Sequence, residues 1–237
     1  MAKKISVVIP TYNEERYIER CLKSLEHQTL RRDAFEIVVV DGGSTDRTVK
    51  LAQKYADIVM HQKSSGVGGA RNEGVMIASA DIVATTDADI ALPTKWLAQI
   101  CADFNPEDVV AVFGPIRPIE NRYNYRFLIG SFTKFVHVCA RLKIAYFTVG
   151  SNTAFRKSTF LQVGGYSDMP AGDDYGIARR LRRVGTVFYD PSLYVWFSMR
   201  RMEKFGIIRS LYRWLANVTA GKRGKNPKVT YMRQTYK

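Results

Sequence analysis

Apolar residues in this chain gather in short runs separated by polar, glycine-rich stretches. Residues 5–9 form a continuous β-branched run closed by Pro10, the pattern of a strand covered on both faces. Residues 14–28 place Ile18, Cys21, Leu22 and Leu25 at helical spacing, with Asn13 positioned as an N-cap. A second buried strand is predicted over 35–40, ending at Asp41-Gly42-Gly43-Ser44. A helix is expected from Thr45 or Asp46 to about Tyr55, then a third strand over Ile58–His61. Residues 64–69 read as a loop, 70–79 as a helix, and 82–86 as a fourth strand that runs into Asp87-Ala88-Asp89.

Beyond this, the spacing predicts helices over 93–104, 158–163 and 174–184, and strands over Val109–Phe113, 149–155, Thr186–Tyr189 and 193–197. Residues 123–147 are apolar, aromatic and basic without an acid. A last helix is expected over about 202–220, with Ile207, Ile208, Leu211, Tyr212, Leu215 and Val218 on one face, then a basic tail over 221–237. Strands alternating with helices define an α/β chain with a parallel sheet. Such sheets bind ligands beyond the carboxyl ends of their strands. Residues 11–13, 41–44 and 87–89 should therefore line one crevice.

The charge adds a second constraint. The 237 residues carry a formal net charge of +14, and pI is about 9.8. From Arg200 to Lys237 there are eleven Lys/Arg against Glu203 alone, so 11 − 1 = +10 lies at the end of the chain. This run is either a solvated tail or a surface for anionic membrane. Nucleic acid would also answer the charge, but no reading motif accompanies it. Cys21, Cys101 and Cys139 show no metal-binding spacing, and their scarcity fits a reducing, cytoplasmic setting. The first ten residues are too weakly apolar for a signal peptide. Residues 127–149 are interrupted by Lys134, His137, Arg141 and Lys143, too many charges for a spanning helix.

Several clusters can carry chemistry. Asp87 and Asp89 flank Ala88 after a buried strand, where two carboxylates can hold a hard divalent ion that bridges phosphate oxygens; an N-capping turn is the alternative. Asp41 can accept a hydrogen bond from a ribose or base, or close an Asx-turn in DGGS, or both. Arg71 follows Gly68-Gly69-Ala70 at a predicted helix start, suited to a phosphate or else a plain surface arginine. The loop lacks the lysine of a P-loop. Asp173 and Asp174 precede a helix and offer either a general base or an acidic N-terminal pair. Arg200 and Arg201 suit a diphosphate, or simply begin the basic run. His27, His61 and His137 are read as lying away from every acidic cluster.

Taken in order, SVVIPTYNEERYIERCLKSL, IVVVDGGSTDRT, GARNEG, TDADI, VGSNTAFRKSTF, GDDYGIARRLRR and FSMRR resemble the motifs of family 2 glycosyltransferases of the GT-A fold, over about residues 5–206. The resemblance implies a single GT-A domain over 1–200 with a mixed, mostly parallel central sheet. Its nucleotide-binding half would cover about 1–90, its acceptor-binding half about 91–200, with 201–237 as an amphipathic helix and basic tail. It further implies an inverting, metal-dependent transfer from a nucleotide-diphosphate sugar, with UDP slightly preferred, to a glycan or lipid-linked acceptor. By the same resemblance, Pro10, Thr11, Tyr12, Glu14, Gly43, Ser44, Ala88 and Asp173 would border the donor and Asp41 would contact the base. Arg71 and Asp87 would touch nucleotide, ribose or diphosphate, Asp89 would hold Mg2+ or Mn2+, and Asp174 would be the catalytic base. Arg200 and Arg201 resemble a basic pair near the diphosphate. Asp173 stands where the family commonly has Glu, and the histidine metal ligand of some relatives is not evident.

Two competing readings stand beside this one. A polyprenyl-phosphate acceptor would already be anionic and need no base. A non-catalytic sugar-nucleotide or membrane-surface module is the reading of a different kind, and the intact Asp41, Asp87, Asp89 and Asp174 argue against it. Residues 123–147 and the last helix are expected to contact a membrane surface or the acceptor, or else to pack as core, which would place the protein at the inner face of the cell membrane.

Overall fold

A computed structural model describes residues 3–141, 149–167, 174–206 and 209. The first half contains β1 (Ile5–Thr11), α1 (Ile18–Glu26), β2 (Phe35–Asp41), α2 (Thr48–Ala52), β3 (Ile58–His61), α3 (Gly66–Ile77), β4 (Ile82–Thr85) and β5 (Ile90–Ala91). There follow α4 (Trp96–Asp103), β6 (Val109–Phe113), β7 (Ile116–Pro118), α5 (Tyr123–Arg141), β8 (Thr153–Arg156) and α6 (Lys157–Gln162). The described elements close with α7 (Asp174–Leu181), β9 (Thr186–Tyr189), β10 (Val195–Phe197) and α8 (Arg200–Phe205).

Seven strands form the main sheet in the order β3-β2-β1-β4-β8-β6-β9, and β5-β10-β7 form a small second sheet. In the main sheet only β8 runs against its neighbours β4 and β6; the other pairings are parallel. The continuous apolar runs of β1 and β2 follow from this architecture, because both faces are covered. Ile5, Val7 and Ile9 pack with Ile18, Leu22 and Leu25 of α1 and Trp96, Leu97 and Ile100 of α4. Val8 and Val38 point the other way, towards Ala70 and Val75 of α3, Phe160 of α6 and Ile177 and Leu181 of α7. Alternate residues thus feed opposite layers.

One carboxamide ties the two sheets together. Trp96 Nε1 donates to Asn152 Oδ1 at 2.9 Å, while Asn152 Nδ2 donates to the carbonyls of Pro115 (3.1 Å) and Leu193 (2.7 Å). Asn152 has no exposed surface, so these bonds replace water that it cannot reach.

Several boundaries differ from the sequence pattern for identifiable reasons. Asn13 is not the N-cap of α1, which begins at Ile18. Asn13 adopts φ 54°, and its Oδ1 accepts the Thr45 N–H at 2.8 Å. The N–H groups of Glu14 and Glu15 donate to Thr48 Oγ1 (2.7 Å) and Asp46 Oδ2 (3.2 Å), so residues 13–15 belong to a joint between the β1 and β2 loops. Asp46 also accepts the Thr48 N–H at 2.9 Å, which delays α2 to Thr48. By contrast α3 starts early, at Gly66, because the Glu73 carboxylate reaches back to the N–H groups of Lys63 and Ser64. Arg71 is therefore a residue of the second turn of α3 and not of its start.

Strand β8 begins at Thr153, four residues later than expected, and β5 and β7 had no legible signal. The described part of the last helix, expected over 202–220, begins at Arg200 and runs to Phe205, where Gly206 takes φ 78°. Residues 142–147 of the apolar basic segment, Asp173, Ile207, Ile208, everything from residue 210 onward and with it the tail over 221–237 lie outside the described residues. No helix among the described residues is long and apolar enough to cross a membrane.

Candidate active site

The parallel strands deliver their carboxyl ends to one edge of the sheet. Thr11 of β1 lies beside Asp41 of β2 in register, and β1 pairs with β4 on its other side. Pro10 and Thr11 close β1, with Tyr12 in the turn that follows. The β1 and β2 loops are joined by the Asn13 N–H donating to Ser44 Oγ at 2.8 Å and the Gly42 N–H donating to the Thr11 carbonyl at 2.8 Å.

Asp41 is fully buried and closes the turn foreseen for it. Its Oδ2 accepts the N–H groups of Gly43 (3.0 Å) and Ser44 (2.9 Å), and its Oδ1 accepts the Ser44 hydroxyl. Gly43 takes φ 91°, which only glycine adopts without strain. The reading that kept every histidine away from acids fails here. His61 pairs with Asp41 across the β2–β3 register, and its Nδ1 lies 3.7 Å from Asp41 Oδ2, with the ring largely exposed.

A second cluster forms around Arg71. Its Nη2 donates to Asp87 Oδ1 at 2.7 Å, and Nη1 lies 3.9 Å from Asp174 Oδ1, with the Tyr166 ring 5.6 Å away. Burial pulls this guanidinium towards its neutral form, but the charges of Asp87, Tyr166 and Asp174 outweigh it and hold the pKa above its ordinary value. Arg71 is thus a fixed positive charge between two acids of distant origin. The chain leaves no room beside it: a Cβ on Gly150 would sit 2.2 Å from Arg71 Nη1 and 2.7 Å from Asp174 Oδ1. Thr85 Oγ1 donates to the Gly150 carbonyl at 2.7 Å and pins that backbone to β4.

The third cluster surrounds Arg200. Its Nε and Nη2 lie 3.0 Å from Asp89 Oδ2, Nη2 also reaches Glu14 Oε1, and the guanidinium lies 4.2 Å over the Tyr17 ring. Arg20 Nη2 donates to the Asp89 carbonyl at 3.1 Å. Cys21 donates its thiol to the Asp87 carbonyl at 3.5 Å, and burial beside Asp89 and Asp87 pushes its pKa far up, so it stays a neutral thiol. Ala88 is buried between the two acids.

Arg20, Tyr17 and Gly150 are site residues that sequence reasoning missed. The glycine in VGSN was the only signal, and nothing in the helical pattern of α1 distinguished Tyr17 or Arg20. Arg201 belongs to α8 by its backbone.

Four buried polar atoms in this region have no hydrogen-bond partner among the described residues: Thr11 Oγ1, Asn13 Nδ2, Arg71 Nε and Thr86 Oγ1. Buried polar groups are normally satisfied, and these sit at or beside the ends of β1 and β4, where a polar ligand would answer them. The same place suits a small divalent ion. Asp87 and Asp89 offer hard carboxylate oxygens, and the Arg200 guanidinium already stands at Asp89 as a cation. Among the described residues no group of three or more His, Cys, Asp or Glu is arranged around one point. A divalent ion at Asp87 and Asp89 would need the rest of its ligands from outside the described residues.

The mostly parallel α/β sheet is shared with solved structures of the GT-A class. The chain superposes on the mannosyltransferase PcManGT from Pyrobaculum calidifontis, solved with GDP-Man and Mn2+, with TM-score 0.76, 23% identity, and coverage of 95% of this chain and 66% of that one. It superposes on glucosyl-3-phosphoglycerate synthase from Mycobacterium tuberculosis, solved with Mn2+, UDP and glucosyl-3-phosphoglycerate, with TM-score 0.66, 20% identity and coverage of 95% and 82%. By sequence it is 38% identical over 101 residues to the putative glycosyltransferase EpsH of Bacillus subtilis, a match covering 40% of this chain and 29% of EpsH. The match thus spans less than a third of that relative. The family model described as "Glycosyl transferase family 2" matches residues 6–164, and the chain belongs to that family.

Proposed function

We propose that this chain moves a sugar from a nucleotide-diphosphate donor to a hydroxyl group of a lipid-linked or surface glycan, with inversion at the anomeric carbon. The observation that carries this reading is the convergence of Asp87 and Asp174 on one buried guanidinium, that of Arg71. Asp87 comes from the donor side of the crevice, after β4, and Asp174 from the start of α7, so Arg71 joins the group suited to the donor with the group suited to the acceptor.

In this reading Asp174 accepts the proton of the acceptor hydroxyl as its oxygen attacks the anomeric carbon. The bond from that carbon to the diphosphate breaks on the opposite face. Arg71 holds Asp174 in place at 3.9 Å, and it places positive charge where the donor's phosphates would lie. Asp41, Gly43 and Ser44, with Pro10, Thr11, Tyr12 and Glu14, border the nucleotide. Asp173, Ala88 and the pair Arg200/Arg201 complete the donor surroundings. Asp89 would hold Mg2+ or Mn2+, and such an ion would supply positive charge to the leaving diphosphate. Residues 1–90 form the donor half and 91–200 the acceptor half.

The test begins with UDP- and GDP-sugars, with UDP first, screened with Mn2+ for thermal stabilisation. Nucleoside diphosphate release then follows transfer to added acceptor or to water. Asp174→Asn should keep the stabilisation and lose about 10²–10⁴-fold in turnover. A variant within a few-fold of wild type would point to an acceptor that needs no base, such as a polyprenyl phosphate. If no sugar nucleotide stabilises the chain, the donor reading fails.

A further inference from the structure

Helix α5 (Tyr123–Arg141) has a covered face and a bare one. Tyr125, Ile129, Val136 and Cys139 are buried, and Tyr125 and Ile129 pack with Met199, Ile116, Phe197 and Met202. On the other side Tyr123 is 84% exposed, Phe127 67%, Phe135 56% and Val138 51%. At about 100° per residue these four fall within an arc of about 120°. The same arc also holds Lys134, Ser131 and Asn124, all exposed, while Arg141 lies at its border and Arg126 beyond it on that side. The helix contains no Asp or Glu. The bare face thus carries large aromatic and aliphatic side chains interspersed with a cation and two small polar residues, with further cations along one edge.

We infer that this face of α5 docks the protein on an anionic lipid surface, with its aromatic side chains at the headgroup level and the cations against lipid phosphates. Several large apolar side chains exposed together on one helix face mark an interaction surface. The charges select among occupants. A second copy pairing through the same face would set Arg126, Lys134 and Arg141 against their own equivalents, with no acid on the helix to answer them. An anionic bilayer meets both demands: an apolar layer for Phe127 and Phe135 and a negative surface for the cations. The chain supplies a second attraction. Glu203 of α8 pairs with Arg122 at 3.3 Å, so the polypeptide leaves α8 beside the start of α5. Residues 209–237 then contribute Arg209, Arg213, Lys222, Arg223, Lys225, Lys228, Arg233 and Lys237 without an acid. Two weak signals of this type together give stable but salt-sensitive attachment.

This inference stands apart from the transfer reading, because it needs neither donor nor acceptor. The test is flotation of the full chain with phosphatidylcholine vesicles, with and without phosphatidylglycerol, at low and high salt. Wild type should float with the anionic vesicles at low salt and be released by high salt. The double variant Phe127→Ser/Phe135→Ser changes exposed positions only, so its circular dichroism and Tm should match wild type, while its vesicle affinity falls about tenfold or more. Arg126→Glu/Lys134→Glu should fall similarly on anionic vesicles. Absence of flotation at low salt overturns the proposal. So does undiminished flotation of the folded Phe127→Ser/Phe135→Ser chain, which would assign attachment to the basic terminus alone. A wild-type dimer that the same double variant converts to monomer would assign the face to self-association and overturn the proposal as well.

Discussion

Arg200 donates to Asp89 at 3.0 Å across 111 residues of sequence, and the same guanidinium reaches Glu14. Removing one partner of a buried ion pair leaves the other charge uncompensated. Arg200→Gln should therefore lower the free energy of unfolding by about 3–5 kcal/mol in a denaturant titration. Manganese should raise the Tm of this variant more than that of wild type, because a divalent ion can answer the two carboxylates where no guanidinium competes. Equal shifts in the two proteins would show that Arg200 does not contend with the metal.

Gly150 fixes the distance between Arg71 and Asp174. A methyl group there would meet Arg71 Nη1 and Asp174 Oδ1 well inside contact distance, so both must move. Gly150→Ala should cost about 1–3 kcal/mol in stability. Turnover should fall much further, about 10²-fold for a displacement near 1 Å, with far-ultraviolet circular dichroism unchanged. Full activity in the alanine variant would mean that the Arg71–Asp174 spacing does not matter to the reaction.

Asp103, at the end of α4, titrates unusually. Burial pushes its carboxyl up to about 6, and the neighbouring Asp190 pushes the same way against the hydrogen bond from Gln99. Between its ordinary value of 3.8 and about 6, the folded chain holds a proton that the unfolded chain has released. The resulting stability is complete below the lower value and is lost as pH rises through the higher one. Asp103→Asn mimics the protonated form. Its Tm should match wild type near the acid end of the window and exceed it at neutral pH. A Tm difference that does not change with pH would remove Asp103 from the acid response.

The strands that hold the crevice were readable because β1, β2 and β4 are short apolar runs followed at once by polar residues. A strand covered on both faces cannot look otherwise. The grouping of residues 11–13, 41–44 and 87–89 followed from parallel topology alone. The start of α3 was not readable, because it depends on Glu73 reaching back ten residues to Lys63, a contact that helical spacing does not encode. Nor were the pairings of Arg71 with Asp174 or Arg200 with Asp89. Their acids and bases stand in the sequence as ordinary charged residues, and long-range packing brings them together: the antiparallel pairing of β10 with β5 sets Arg200 near Asp89. His61 was missed for a similar reason: it meets Asp41 through strand register, not through any local motif.

The position of Arg200 in the chain has a consequence for how the molecule is made. Strands β1, β2 and β4, with Glu14, Asp41, Asp87 and Asp89, leave the ribosome more than a hundred residues before the guanidinium that neutralises two of those acids. A nascent or proteolytically clipped polypeptide ending before Arg200 would carry Glu14 and Asp89 as repelling neighbours in a half-built cleft. Electrostatic completion of the crevice therefore waits for β10 and the residues after it, and a chain cut short before Arg200 is marked by its own charge imbalance.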